Sequence, residues 1–222
     1  MAKTQWQDAK KITEGFELCI GPYFAHQFVK MPKHVLFTLA RYKFAAKMIS
    51  PGATILELGC NEGIGTLLLA ETAERVVAVD FDTAANAYAK EHLEFSKIEF
   101  VADDFIGKRY GTFDFVVSLD VIEHIDPRRE DDYMTTVLDN LSLRQGTFIV
   151  GTPNDCASKY ASEGSKLGHV NMYTAERLDG MLRKYFRNVF SFGMNDEVLH
   201  TGFSPMCHYL LAIACNVHEN DE

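Results

Sequence analysis

Four side chains in the middle of the sequence are of the types that metal or proton chemistry uses: Asp120, Glu123 and His124 in the run FDFVVSLDVIEHI (113–125), and His169 further on. Carboxylates and neutral imidazoles are donors to a divalent cation, with Mg2+, Mn2+, Fe2+ and Zn2+ all open, and His124 or His169 can equally take a proton from a hydroxyl near neutral pH. Without a ligand, Glu123 and His124 would simply shape a loop. A second group lies upstream. ILELGCNEGIGT (55–66) places Gly59, Gly63 and Gly65 where a strand turns into a helix, and Asp80 ends the next strand, VVAVD. Glycines let backbone approach a ligand closely, and a helix start offers free N–H groups. An acidic residue about 21 positions past the first glycine can accept both hydroxyls of a ribose; its alternative role is a helix N-cap, which Thr83 can fill instead. Glu57 and Glu62 flank the turn, and carboxylates there repel a pyrophosphate and suit a cationic ligand.

These groups must be carried on elements that meet. From Ala53 onward, short apolar runs (ATILEL, RVVAVD, KIEFVA, FDFVVSL, GTFIVG) alternate with helical stretches, the pattern of right-handed βαβ crossovers and a mainly parallel sheet covered on both faces. In such sheets ligands bind in the crevice at the carboxyl ends of the strands, and both groups fall at those ends. Residues 8 to 50 read as largely helical, with a helix from His34 to Ile49 stopped by Pro51-Gly52. The division expected is an N-terminal helical cap over 1–50 and a single compact unit over 51–222. A helix over Thr174 to Tyr185, capped by Thr174, precedes two late strands, NVFSFGMN and CHYLLAIACN, expected to pair antiparallel at an edge.

Composition narrows the function. With 47% hydrophobic and 24% charged residues, the 222-residue chain reads as a soluble globular protein. It has no apolar run of the roughly 20 residues that span a bilayer and no hydrophobic signal core, so the expectation is cytoplasmic with no membrane span. Five cysteines without a CxxC spacing write neither a disulfide framework nor a zinc knuckle. The net charge of −9 opposes a polyphosphate partner, so nucleic acid is disfavoured.

The glycine turn, Asp80, Asp103-Asp104-Phe105 after the third strand and the 113–125 run together resemble the class I S-adenosylmethionine-dependent methyltransferases, over about residues 55 to 151. The resemblance implies a Rossmann-like α/β fold whose seven-stranded mixed sheet has six parallel strands and one antiparallel. S-adenosylmethionine would lie with Glu57, Gly59, Cys60 and Gly63 near its methionine end, Asp80 and Phe81 at the ribose, Asp103 and Asp104 near adenine, and Ser118 and Leu119 supplying backbone contacts. Arg41 stands roughly where an Arg clasps the cofactor's carboxylate in the O-methyltransferases of ubiquinone biosynthesis; its alternative is a solvated helix charge. The residues Asp120, Glu123, His124 and His169, with GHVNMYTAERL (168–178), are similar to the E-x-x-E-H and later His with which the small-RNA 3′-end methyltransferases hold a divalent metal, here with Asp in place of the first Glu. The reading that follows is a metal-assisted O-methyltransferase acting on a small hydroxylated molecule, a sugar, nucleotide sugar or quinone-like precursor. RNA 3′-terminal ribose 2′-O-methylation is the alternative, and a non-catalytic partner subunit is a further rival. The partner expected is the small-molecule acceptor, with room left for a homodimer.

Overall fold

The computed structural model describes residues 2–218 except 16, 94 and 144. Three helices lead in: α1 (Ala2–Lys11), α2 (Pro22–Lys30) and α3 (Pro32–Met48). Pro22 and Pro32 both stand in the first helical turn, where a missing N–H costs nothing and the fixed φ suits the helix. The long helix therefore begins at Pro32, two residues before the His34 that periodicity marks, and Gly52, in a left-handed conformation, turns the chain into the sheet.

Then follow β1 (Thr54–Leu58), α4 (Thr66–Ala70), β2 (Arg75–Asp80), α5 (Thr83–His92), β3 (Ile98–Ala102), β4 (Phe115–Leu119), α6 (Glu130–Asn140), β5 (Thr147–Pro153), α7 (Glu163–Gly168), α8 (Ala175–Leu182), β6 (Phe186–Asn195), β7 (Val198–His200) and β8 (Tyr209–Val217). Local sequence sets the helix starts. Asp82 caps α5 by accepting from the N–H groups of Ala84 and Ala85, and Thr174 caps α8 by accepting from that of Arg177. Acidic Glu130, Asp131 and Asp132 sit in the first turn of α6, where the helix dipole favours them.

The strand order is β3-β2-β1-β4-β5-β8-β6-β7. Strands β1 to β5 pair in parallel, while β8 is antiparallel to both β5 and β6, so β6 points the same way as the first five. Six co-directional strands agree with expectation, but the sheet has eight strands rather than seven and two of them, β7 and β8, are reversed. The extra strand, β7, folds back on β6 through the two-residue loop Asp196-Glu197, with Asp196 in the left-handed conformation such tight hairpins need. Three residues are too short to register as a period. The reversed β8 lies inside the sheet, between β5 and β6, and β7 forms the edge.

Apolar side chains from the two faces form two clusters. One is centred on Leu56, Val116, Phe148, Tyr133 and Leu182, and the other on Ile55, Val117, Ile149, Leu69 and Phe44 of α3. Burial on both faces is why β1, β2, β4 and β5 read as unbroken apolar runs. The order of strand addition reverses between the parallel neighbours β1 and β4, and the crevice at that switch point is bounded by the turn after Leu58 and the loop after Leu119. Among the described residues no helix is long and apolar enough to cross a membrane.

Candidate active site

The turn after β1 is held from two sides, by the loop after β4 and by the end of β2. Gly59 has φ +85°, and a Cβ there would collide with the Val121 side chain from the loop after β4. The glycine thus lets two loops of the crevice pack together, which adds a packing requirement to the ligand approach its position suggests. Asp80 ends β2 almost wholly buried; its Oδ2 accepts from the N–H of Asn61 at 2.7 Å and its Oδ1 from that of Asp82 at 2.8 Å. It ties the glycine turn to the start of α5 and retains lone pairs for a further donor. Asp80→Ala is expected to weaken S-adenosylmethionine binding by roughly 1.5–3 kcal/mol, the range of a charge-assisted hydrogen bond. Titration calorimetry checks this, and unchanged affinity would remove Asp80 from the site.

Glu57 is 1% exposed on β1, between Tyr42 of α3 and Thr66 of α4. Its Oε1 accepts from the Tyr42 hydroxyl at 2.8 Å, while its Oε2 has no hydrogen-bond partner among the described residues. Burial pushes its carboxyl up to about 7, and the nearby Thr66 and Tyr42 hydroxyls offset only part of that. Cys60 is buried and its thiol pushed up by the same cause, which makes it inert as a nucleophile. Ser118 and Leu119 are buried at the carboxyl end of β4. Phe81 is 75% exposed beside Asp80, a free aromatic face at the crevice. Asp103 is engaged by Lys108 and by the Tyr110 hydroxyl, and Asp104 accepts from the N–H of Ile106 and pairs loosely with Arg129 at 3.8 Å on an exposed surface.

The loop after β4 carries the second group. Asp120 adopts φ +59° and turns its carboxylate to Arg41, whose Nη1 lies 2.7 Å from both oxygens. The guanidinium stacks 3.8 Å over the Tyr209 ring of β8 and leaves its Nε unpartnered. Arg41 and Asp120, assigned separately to cofactor and metal, are therefore brought to each other across 79 positions of sequence. The structure brings together the other three members of the proposed metal set: donor atoms of Glu123, His124 and His169 all lie within 4.8 Å of one another.

Each of the three is fixed by a specific contact. Glu123 is 1% exposed; Oε2 accepts from the Thr152 hydroxyl at 3.0 Å, Oε1 is unpartnered, and burial together with Asp120 holds its carboxyl well above the usual range. His124 Nδ1 lies 2.9 Å from the Gly168 carbonyl, which can only accept, so Nδ1 carries the proton and Nε2 is left as a lone-pair donor. His169 caps the end of α7, and burial, reinforced by His124, lowers its pKa below the ordinary imidazole value. The segment after it is bolted down, because the N–H groups of Val170 and Asn171 both donate to the Glu123 carbonyl.

Sequence reasoning missed Thr152, Tyr209 and the buried role of Glu62, whose contacts are all long-range; only the carboxylate of Glu62 beside the glycines gave any signal. A cationic, phosphate-free cofactor fits what is present. Residues 59–66 contain no Lys or Arg, and the buried Oε2 of Glu57 and the neighbouring Thr66 hydroxyl, where β1 leads into α4, have no hydrogen-bond partner among the described residues.

Comparison with known proteins agrees. Residues 55–142 match the family model described as a methyltransferase domain. A probable S-adenosylmethionine-dependent methyltransferase of Mycolicibacterium smegmatis is 30% identical over 103 residues, 46% of this chain and 39% of that protein. A ubiquinone biosynthesis O-methyltransferase of Xanthomonas campestris pv. campestris is 28% identical over 102 residues, 43% of each. The chain thus spans less than half the length of these curated relatives. The solved methyltransferase domain of bacterial CtHen1-C superposes with a TM-score of 0.66 at 18% identity, over 81% of this chain and 98% of that one. The chain carries a methyltransferase domain with the Rossmann-like fold of that class.

Proposed function

We propose that this chain transfers a methyl group from S-adenosylmethionine to a hydroxyl oxygen of a small molecule, assisted by a divalent cation at Glu123, His124 and His169. The observation that carries the reading is the convergence of these three donors at the switch-point crevice, beside the turn that would take the cofactor. S-adenosylmethionine supplies an electrophilic methyl on a sulfonium. Glu57 and Asp80 place carboxylates about its half of the crevice, and the turn at Gly59–Gly63 gives it backbone rather than side chains. Holding the acceptor oxygen in line can supply on the order of 7–11 kcal/mol of the barrier, so most of the catalysis is positioning.

One carboxylate and two imidazoles with open positions are a donor set for Fe2+, Mn2+ or Zn2+ more than for Mg2+, which prefers all-oxygen surroundings. A cation there would acidify a bound hydroxyl. Glu123 supports the fit through its unpartnered Oε1, and His124 through the tautomer that leaves Nε2 free. The acceptor favoured is sugar-like, since a vicinal diol offers two oxygens to a cation; a quinone precursor is the other class.

Chelator treatment is expected to abolish methyl transfer to a hydroxylated acceptor while S-adenosylhomocysteine still binds, and calorimetry of Mn2+ added to the metal-free protein should show one site. Retention of full turnover after chelation, with no metal in the active protein, would reduce the three residues to a base and its supports, with His124 as the base.

A further inference from the structure

Glu62 belongs to the glycine turn by sequence but spends its side chain elsewhere. It is 3% exposed, and its two carboxylate oxygens accept from the N–H groups of Tyr23 and Phe24 at 2.8 and 2.9 Å. Those are free donors of the first turn of α2, whose N-cap residue, Gly21, has no side chain to cap it. A Cβ on Gly21 would run into the Glu62 carboxylate, so the glycine is the space this contact needs. The match is doubly favourable, since a full negative charge meets both unpaired N–H groups and the positive end of a helix dipole.

The same carboxylate is linked backwards into the cofactor half. The N–H of Glu62 donates to Asn61 Oδ1, and the N–H of Asn61 donates to Asp80. Just before α2, the Ile20 carbonyl accepts from the Tyr88 hydroxyl of α5 at 3.0 Å. The segment from Ile20 to Phe24 is therefore pinned at one end to α5 and at the other to the β1 turn. Asp80 bonds to both of these elements, through Asn61 of the turn and Asp82 at the start of α5, so the strap is tied at each end to the cofactor half of the site.

We infer that Glu62 is a positioning residue that latches the lead-in segment over the cofactor crevice, so that exchange of the cofactor for its product requires this latch to open. The inference rests on the reading that the crevice takes S-adenosylmethionine, and deepens it by assigning what retains the cofactor. Glu62 touches no reacting atom; it acts through α2 and through Asn61 and Asp80.

The test uses the full chain and radiolabelled S-adenosylhomocysteine chased by excess unlabelled S-adenosylmethionine. Glu62→Ala is expected to raise the dissociation rate at least tenfold, and Tyr88→Phe, which frees only the far anchor, several-fold. Glu62→Gln, which keeps one acceptor oxygen for one of the two N–H groups, should fall between wild type and Glu62→Ala, a graded rescue that simple loss of stability would not give. Hydrogen exchange at the Tyr23 and Phe24 amides in the ligand-free protein reads the latch without any cofactor, and protection there should be lost in Glu62→Ala. A dissociation rate within twofold of wild type in that variant, or amides still protected in it, would overturn the inference. Failure of the wild-type chain to bind S-adenosylhomocysteine would instead overturn the cofactor reading, and is seen before any variant is compared.

Discussion

His169→Ala is expected to lower the rate of methyl transfer by roughly 10²- to 10⁴-fold, the range for a group that binds or moves a proton in the transition state. S-adenosylhomocysteine affinity should stay within about threefold. The expectation of so local an effect comes from how the residue is held. The backbone around His169 is fixed by bonds that do not use its imidazole: its own N–H donates to the Ser165 carbonyl, and those of Val170 and Asn171 donate to the Glu123 carbonyl. Beyond these, Arg177 donates to Asn171 at 2.6 Å and to Glu130 at 2.8 Å while stacking 4.0 Å over the Tyr173 ring. Removing the imidazole of this half-buried histidine, whose ring meets that of His124 edge-on at 4.9 Å, leaves this framework standing. Single-turnover transfer from labelled S-adenosylmethionine, set beside calorimetric titration of S-adenosylhomocysteine, checks both halves. A variant that turns over within threefold of wild type would take His169 out of the chemistry. His124→Ala combined with His169→Ala should cost little more than either change alone, because groups that act as a unit are not additive.

What was legible in the sequence follows the range of the interactions. Strands buried on both faces write themselves as apolar runs, so β1, β2, β4 and β5 and the crevice at their ends can be read directly. Asp80 is marked as a candidate by its distance from the glycines, and Glu123, His124 and His169, which the fold brings within 4.8 Å of one another, by their chemistry. What could not be read is who faces whom. Arg41 and Asp120 look like two independent functional residues until the fold makes them each other's partner, helped by a left-handed backbone at Asp120 that no local rule announces. Glu62 reads as a charge that discourages a pyrophosphate, yet in the fold it caps a helix that begins 40 residues earlier in the chain. Gly59 reads as clearance for a ligand, and the structure adds the Val121 side chain as a neighbour that also needs the space.

Glu57 shows the same conflict between stability and function in a form that can be measured. In the folded protein its carboxyl is pushed up to about 7 from an ordinary value of 4.5, chiefly by burial. Between those two pH values the folded chain holds a proton that the unfolded chain has released, so the carboxyl's contribution to stability falls as pH rises from about 4.5 to about 7 and is flat above. The displacement corresponds to a loss on the order of 3 kcal/mol at pH 8. Glu57→Gln is a neutral replacement of nearly the same shape whose amide oxygen can still accept from the Tyr42 hydroxyl. It is expected to stabilise the ligand-free protein at pH 8 by about 1–2 kcal/mol, the remainder going to an amide N–H₂ without a partner, and to change little at pH 5. The same substitution should weaken S-adenosylmethionine binding tenfold or more, because a buried carboxylate is kept at this cost only where a cation meets it. Thermal unfolding at pH 5 and pH 8, with and without S-adenosylmethionine, measures both effects at once. The ligand-free variant should melt several degrees above wild type at pH 8, and the order should reverse at saturating cofactor as wild type gains more from binding. A variant that melts lower at pH 8, or that binds S-adenosylmethionine as tightly as wild type, would show that Glu57 is a structural carboxyl and that the cofactor's positive charge is met elsewhere.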